Sequence, residues 1–274
     1  PQSPVNPIPF SKTGSTSKHL VMVINLSEAK LMAGASDVEE IKDFFFSLEK
    51  CHALVLKMGA KGALLYESQN AAPVRIPVYE TNSVWAIGSG DVFSAAFAKN
   101  WFDGKTLSES ALIASKTTAA YSNSANLSVL NGVDQNDFRE LVLKNETMGQ
   151  VYLAGPFFTM QDRWMLNQAY TALKGFGLSV FSPFHDVGYG SAKDVVDKDL
   201  KGLNESQVIF AMLDGLDSGT LFEVGYGISK GIKVIVFVQN ESEESLKMLE
   251  GTDCILENDF TTAIYKTYWE LGKI

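Results

Sequence analysis

The sequence predicts an α/β protein made of two Rossmann-like units with mainly parallel sheets. Two observations lead there. Short apolar, β-branched runs alternate with segments whose apolar residues recur at helical spacing, and the alternation occurs twice. Between the two blocks lies SNSANLSVLNGVDQND (122–137), polar, rich in Ser and Asn and without periodicity, which reads as a connection. A length of 274 residues accommodates two domains of ordinary size, drawn here as residues 1–147 and 148–274.

In the first block, VMVIN (21–25) and ALVLKMG (53–59) read as buried strands. EAKLMAG and DVEEIKDFFFSLEKC between them carry helical spacing, and GALLYES and VRIPVYE read as two further strands suited to pairing. SGDVFSAAFAKNWFDG places Val92, Phe93, Ala96, Phe97 and Trp101 on one side of a helix ending at Gly104, and a further helix runs from Leu107 to about Ser122. One more helix is expected near FRELVLKNE (138–146).

The second block opens with the strand VYLAGPFF (151–158), then a helix around DRWMLNQAYTALKGFG and a strand LSVFSP. A helix near KDVVDKDLKGLNES, a strand VIFAMLD and a helix over TLFEVGYGISKG follow, then a strand KVIVFVQ and a closing helix TAIYKTYWELG. Strands alternating with helices predict a parallel sheet covered on both faces in each block.

Composition narrows the function classes. Asp and Glu number 32 against 23 Lys and Arg, a net charge of −9. No general affinity for nucleic acid or an acidic membrane is expected, because contact with a polyanion requires the opposite sign. Cys51 and Cys254 show no CxxC spacing, and His19, His52 and His185 stand far apart, so neither a disulfide framework nor a zinc cluster is expected. No apolar run approaches a membrane span and no signal peptide is visible, which makes cytoplasm the default location. The opening PQSPVNPIPF, without Met, reads as the middle of a longer domain.

In VWAIGSGDVFSAAFA, Gly88, Ser89 and Gly90 form a tight turn opening a helix, with Asp91 in its first turn. Glycines admit close backbone approach, and free N–H groups at a helix start favour an anion. A carboxylate there can take the proton of a hydroxyl attacking a phosphoryl group, although an Asp in a first turn is also an ordinary favourable charge. The segment resembles the C-terminal signature of the ribokinase-like (PfkB) carbohydrate kinases. Asn25 and Glu28 in NLSEAKLMAG resemble that family's NxxE motif, and Lys57, Gly59 and Gly62 in KMGAKGALLY its nucleotide-side TxGxxG turn. The resemblance spans about residues 1–122. It implies a partial ribokinase-like fold, Asp91 as base, an anion hole at Gly88, Ser89 and Gly90, and ATP with Mg²⁺ near Glu28. Trp85 and Ile87 stand where the family carries Asp and Thr, and the family's acceptor-binding N-terminal half has no counterpart. The resemblance therefore implies either a piece of a longer kinase or a half-domain kept as a scaffold.

In the second block Glu223 lies six residues after Asp217, past a strand and a Gly-containing loop, where open α/β sheets bind ligands. Cleaving an N-glycosidic bond develops positive charge at the anomeric carbon, which a carboxylate there can stabilise or capture. VYLAGPFF, DKDL and DSGTLFEVGYG resemble the nucleoside 2-deoxyribosyltransferase family, whose fold includes deoxynucleoside 5′-monophosphate N-glycosidases. The match covers about residues 150–274 and implies a flavodoxin-like fold with Glu223 as nucleophile. It further implies that Tyr152 orients Glu223, that Asp199 assists the leaving base and that Asp217 binds a sugar hydroxyl. Gly155, Pro156, Phe157 and Phe158 would wall the base, His185 would line a lip in SPFHDVG, and Gly219 and Thr220 would donate to sugar or phosphate. Each has a plain alternative: Tyr152 as a strand aromatic, Asp199 as a helix-face charge, Asp217 as a loop carboxylate, the rings as core and His185 as structural.

The expected function is therefore base–deoxyribose cleavage, with the sugar passed to another base or to water, on a nucleoside or nucleotide and without cofactor or metal. Family members often complete the pocket from a neighbouring subunit, which implies a homo-oligomer. The alternatives are an ATP-dependent sugar or nucleoside kinase and a nucleotide sensor that binds without turnover.

Overall fold

The computed structural model describes residues 7–132, 138–144, 149–188 and 190–274. PQSPVN, residues 133–137 of the connection and the end of FRELVLKNE lie outside the described residues. The chain divides between Leu141 and Val142 into two compact units. Five of the seven strand pairings among the described residues are parallel.

The first unit contains β1 (Val21–Asn25), α1 (Leu26–Ala33), α2 (Val38–Asp43), β2 (Ala53–Lys57), β3 (Ala63–Tyr66), β4 (Val74–Ile76), α3 (Ser89–Phe102) and α4 (Leu107–Ser124). A π-helical turn, Phe44–Leu48, extends α2. Sheet order is β1-β2-β3-β4. One face buries Met22, Ile24, Leu54 and Leu56 against Ala29, Met32, Ile41 and Phe45; the other packs Ala53, Val55 and Leu65 on Phe93, Ala96, Phe97 and Ala111. Burial on both faces explains why β2 is an unbroken apolar run.

Two details of this unit depart from the sequence expectation. Only β1 and β2 run parallel, while β2–β3 and β3–β4 are antiparallel. The linking segments 58–62 and 67–73 are too short for the crossover that parallel pairing needs. The second departure is at residues 138–144, which form no helix. Glu80 N–H donates to the Arg139 carbonyl and Leu141 N–H to that of Val78, at 2.9 Å each, so this backbone is satisfied by a bridge to 78–80. Its side chains alternate with the period of an extended chain, Leu141 buried and Val142 exposed.

The second unit contains β5 (Gln150–Ala154), α5 (Met160–Gly175), β6 (Ser179–Phe181), α6 (Ala192–Asn204), β7 (Val208–Met212), α7 (Ser218–Ser229), β8 (Lys233–Phe237), α8 (Glu243–Glu250), β9 (Ile255–Glu257) and α9 (Phe260–Lys273). All pairings are parallel, in the order β6-β5-β7-β8-β9. Renumbered within the unit this is 2-1-3-4-5, the flavodoxin-like order, whose ligand crevice lies between its first and third strands, here β5 and β7. Tyr152, Ala154, Ile209, Ala211, Val234 and Val236 form one core with Leu203 of α6 and Val224 of α7. α8 and β9 are additions to the expected element list. α8 begins at Ser242, whose hydroxyl accepts from Ser245 N–H, and it buries Leu246 and Leu249.

Gly62 closes the β2–β3 turn at φ +84°, and a Cβ there would meet the Ile76 carbonyl oxygen at 2.3 Å. Gly62→Ala is expected to destabilise the first unit by about 3 kcal/mol, from left-handed strain plus a backbone collision. Gly175→Ala, which meets nothing within 4 Å at a helix end, should be neutral or stabilising. Urea denaturation of both variants checks the contrast.

Candidate functional site

Three elements converge beside the β5–β7 crevice. Tyr152, on the interior strand β5 and fully buried, donates its hydroxyl to Glu223 Oε1 at 2.6 Å. Glu223 sits in the second turn of α7, and Asp199 lies on α6. Burial pushes the Glu223 carboxyl up to about 7, against an ordinary 4.5. The Tyr152 hydrogen bond opposes that rise, whereas the negative charges of Asp199 and Asp217 add to it. Burial also raises the Asp199 carboxyl, and its Oδ1 is buried without a hydrogen-bond partner. The structure thus brings Tyr152, Glu223, Asp199 and Asp217 into one electrostatic cluster. A carboxyl with a raised pKa and an unpaired buried oxygen is suited to exchange a proton with a ligand.

Asp217 is the N-cap of α7: its Oδ2 accepts from Thr220 N–H at 2.8 Å and from Thr220 Oγ1 at 3.0 Å. Thr220 is buried, and both of its donors go to Asp217 rather than towards a ligand. Gly219 lies between them in the first turn.

At the end of β5, a Cβ on Gly155 would sit 3.0 Å from atoms of both Leu166 and Met212, so the glycine seats the strand end in the core. Pro156 leads to Phe157 and Phe158, stacked with centroids 5.2 Å apart. Phe158 is 68% exposed, and Phe157 also packs on Phe184. Their carbonyl oxygens accept from Arg163 Nη1 at 3.1 and 3.0 Å. His185 lies in a π-helical turn, Pro183–Val187. Its Nε2 contacts Asn167 Oδ1 at 2.9 Å, its Nδ1 contacts Ser182 Oγ at 3.1 Å, and its ring stacks on Tyr170. With both nitrogens engaged, His185 orders the turn. Arg163, Asn167 and Tyr170 escape the motif-based reading; their i, i+4 and i+7 spacing on α5 is the signal that could have found them.

In the first unit a cleft of about 520 Å³ gathers Asn25, Glu28, Lys57, Gly88, Gly90 and Asp91 beside Val21, Val23, Phe97 and Trp101. Lys57 Nζ donates to the Gly90 carbonyl at 3.0 Å; burial lowers its pKa while Glu28 and Asp91 act in the opposite sense. Gly88 takes φ +80°, and a Cβ there would meet the Tyr121 hydroxyl at 2.9 Å. Ser89 donates its hydroxyl to the Ala86 carbonyl, within the turn. Gly59 and Gly62 build the β2–β3 turn and are not among the residues lining this cleft. The oxygen donors of Glu28 and Asp91 fit Mg²⁺, and Lys57 fits a phosphate. Among the described residues no three His, Cys, Asp or Glu side chains gather to hold a metal, so an ion there would share its shell with phosphate oxygens. No helix among the described residues is long and apolar enough to cross a membrane.

The model of the nucleoside 2-deoxyribosyltransferase family matches residues 151–259, and that of the pfkB family of carbohydrate kinases matches residues 16–128. Among solved structures, a 2-deoxyribosyltransferase from Bacillus psychrosaccharolyticus is 25% identical with a TM-score of 0.35, over 42% of this chain and 95% of its own. One from Leishmania mexicana is 21% identical with a TM-score of 0.36, over 44% and 97%. A ribokinase from Arabidopsis thaliana, complexed with ribose and ATP, is 22% identical with a TM-score of 0.33, over 41% of each chain. The chain thus spans less than half the length of that kinase. Both family matches fall on the segments whose motifs carry the resemblances.

The folded chain holds the Glu223 proton more tightly than the unfolded chain does. Its contribution to stability is therefore full below about pH 4.5 and is lost as pH rises through about 7. Glu223→Gln, which cannot ionise, should gain on the wild type by about 2 kcal/mol between pH 5 and 8. Thermal denaturation at the two pH values checks this; a constant difference contradicts it.

Proposed function

We propose, from a chain in which a segment matching the pfkB family precedes one matching the nucleoside 2-deoxyribosyltransferase family, that the second unit cleaves the base–sugar bond of a 2′-deoxynucleoside through Glu223. The observation that carries this reading is the partly buried 2.6 Å hydrogen bond from Tyr152 to Glu223 Oε1, with Asp199 in the same cluster. The ionised Glu223 carboxylate bonds to C1′ as the C1′–N bond breaks and its electron pair passes to the base. Asp199, protonated, supplies the proton that the departing base takes up. In the second step an acceptor base or water attacks C1′, the Glu223 ester bond breaks, and the attacking group's proton returns to Asp199. The exposed Phe158 and its partner Phe157 offer stacking faces for the base.

The charge distribution favours an unphosphorylated substrate. A helix N-terminus ordinarily attracts anions, but at α7 the Asp217 carboxylate already occupies it, bound to both donors of Thr220. A 5′-phosphate there would meet the carboxylates of Asp217 and of the ionised Glu223, both of its own sign. A sugar hydroxyl can instead donate to Asp217.

Glu223→Ala should lower base release on the order of 10³-fold or more. Tyr152→Phe should lower it roughly 10- to 100-fold, the effect of one hydrogen bond to a charged group. Chromatography of a panel of deoxynucleosides and their 5′-monophosphates, with and without free base, checks both variants. It also separates exchange from hydrolysis. Full activity in Glu223→Ala contradicts the assignment, and preference for monophosphates contradicts the substrate class.

A second reading rests on the first-unit cleft, where Asp91, Glu28 and Lys57 meet. There ATP with Mg²⁺ would be held by Lys57 and the acidic pair, with Asp91 as base toward a sugar or nucleoside hydroxyl. ADP production that disappears in Asp91→Asn is its expected result. No ADP with any sugar or nucleoside contradicts it.

A further inference from the structure

We propose that Phe181, Gly202 and Gln150 are positioning residues that set the separation between Asp199 and Glu223. Phe181 acts as a spacer under α6, Gly202 as the bare backbone that rests on it, and Gln150 as the tie that draws the helix down. The proposal rests on the glycosyl-transfer reading for its catalytic meaning, but not for its geometry.

Phe181 on β6 pairs in register with Tyr152 on β5, so the two side chains share a sheet face. Their rings stack with centroids 5.6 Å apart and planes at 23°. Above Phe181 runs α6. A Cβ on Gly202 would lie 2.4 to 2.5 Å from three ring atoms of Phe181, closer than side chains approach one another. The ring has little room to yield, because its other side meets Tyr152, which is fully buried and tied to Glu223. From β5, Gln150 Nε2 donates to the Gly202 carbonyl at 3.2 Å and to Ser206 Oγ at 3.0 Å. Ser206 in turn donates to the same carbonyl at 2.8 Å. The helix is therefore pulled toward the sheet at Gly202 and stopped there by the Phe181 ring.

Asp199 lies three residues before Gly202, on the same side of α6, and Leu203 beside it is fully buried in the shared core. The height of the helix at Gly202 is thus passed to Asp199. Asp199 Oδ1 has no hydrogen-bond partner that would fix it independently. The groups that act on Glu223 are Tyr152 from β5, Asp199 from α6 and Asp217 at the start of α7. Of these, Asp199 is the one that α6 carries, while Tyr152 touches the spacer ring from the other side.

The test follows the titration of the Glu223 carboxyl by ¹³C NMR in the full chain, together with the pH profile of kcat/KM on a deoxynucleoside. Gly202→Ala should lift α6 and withdraw the Asp199 charge. The Glu223 midpoint and the acid limb should then move to lower pH, with kcat reduced up to about 10²-fold, as for a misplacement near 1 Å. Phe181→Leu should let α6 settle and move both to higher pH. The double variant, which removes ring atoms where it adds a methyl, should return toward the wild type. Should Gly202→Ala fail to fold, Gln150→Met, which cuts the tie to Gly202 and Ser206 and leaves the Phe181–Tyr152 stack in place, decides by a shift of the Glu223 midpoint to lower pH. Unchanged Glu223 midpoints in folded variants overturn the proposal. A wild-type chain inactive on every deoxynucleoside and monophosphate would overturn the glycosyl-transfer reading instead, while the NMR titration still decides the spacer.

Discussion

The hydrogen bond between Tyr152 and Glu223 is the contact on which the chemistry proposed for the second unit depends. A buried carboxylate is costly to ionise, and here two further carboxylates, Asp199 and Asp217, raise the cost. Tyr152 acts on Glu223 in the opposite sense. Its position is firmly set, because it stands on β5, flanked by β6 and β7, with its ring stacked on Phe181. The bond ties the strand floor to the second turn of α7 and holds one Glu223 oxygen. In the proposed reaction the carboxylate would meet its substrate with a fixed orientation, which is how a nucleophile gains from preorganisation.

The same cluster links fold to function through small residues. α7 begins where Asp217 caps it, and the cap that starts the helix also fills its anion-attracting end. α6 lies close to the sheet because Gly202 presents no side chain to Phe181. The first unit follows a related logic. Its turn at Gly88 opens α3, and Lys57 reaches from β2 to the Gly90 carbonyl, so strand end and helix start enclose one cleft. Each unit places polar groups at the carboxyl ends of strands, where parallel pairing leaves a crevice.

Much of this is legible in the sequence, and the reasons differ by residue. Unbroken runs such as ALVLK and VIFAM announce strands buried on both faces. The spacing from Asp217 to Glu223 and the tyrosine in VYLAG carry the second-unit site. Thr220 reads as a ligand donor, yet D-x-x-T is also a capping pattern, with the acceptor three residues before the donor, and the cap takes both of its donors. FRELVLKNE reads as a helix by propensity, yet at its described residues pairing with 78–80 prevails, because tertiary hydrogen bonds outweigh a few tenths of a kcal/mol per residue. The contact of Phe181 with Gly202 is invisible in one dimension, since nothing in the sequence relates a ring on one strand to a glycine near the end of the next long helix.

In the proposed reaction Glu223, oriented by Tyr152, takes the sugar covalently. Mass spectrometry of the protein, acid-quenched during turnover of a 2′-deoxynucleoside and digested, tests it most directly. A deoxyribosyl adduct on the peptide that contains Glu223, absent from Glu223→Gln, is the expected result. Base release with that peptide unmodified, or with the adduct on another residue, would contradict it.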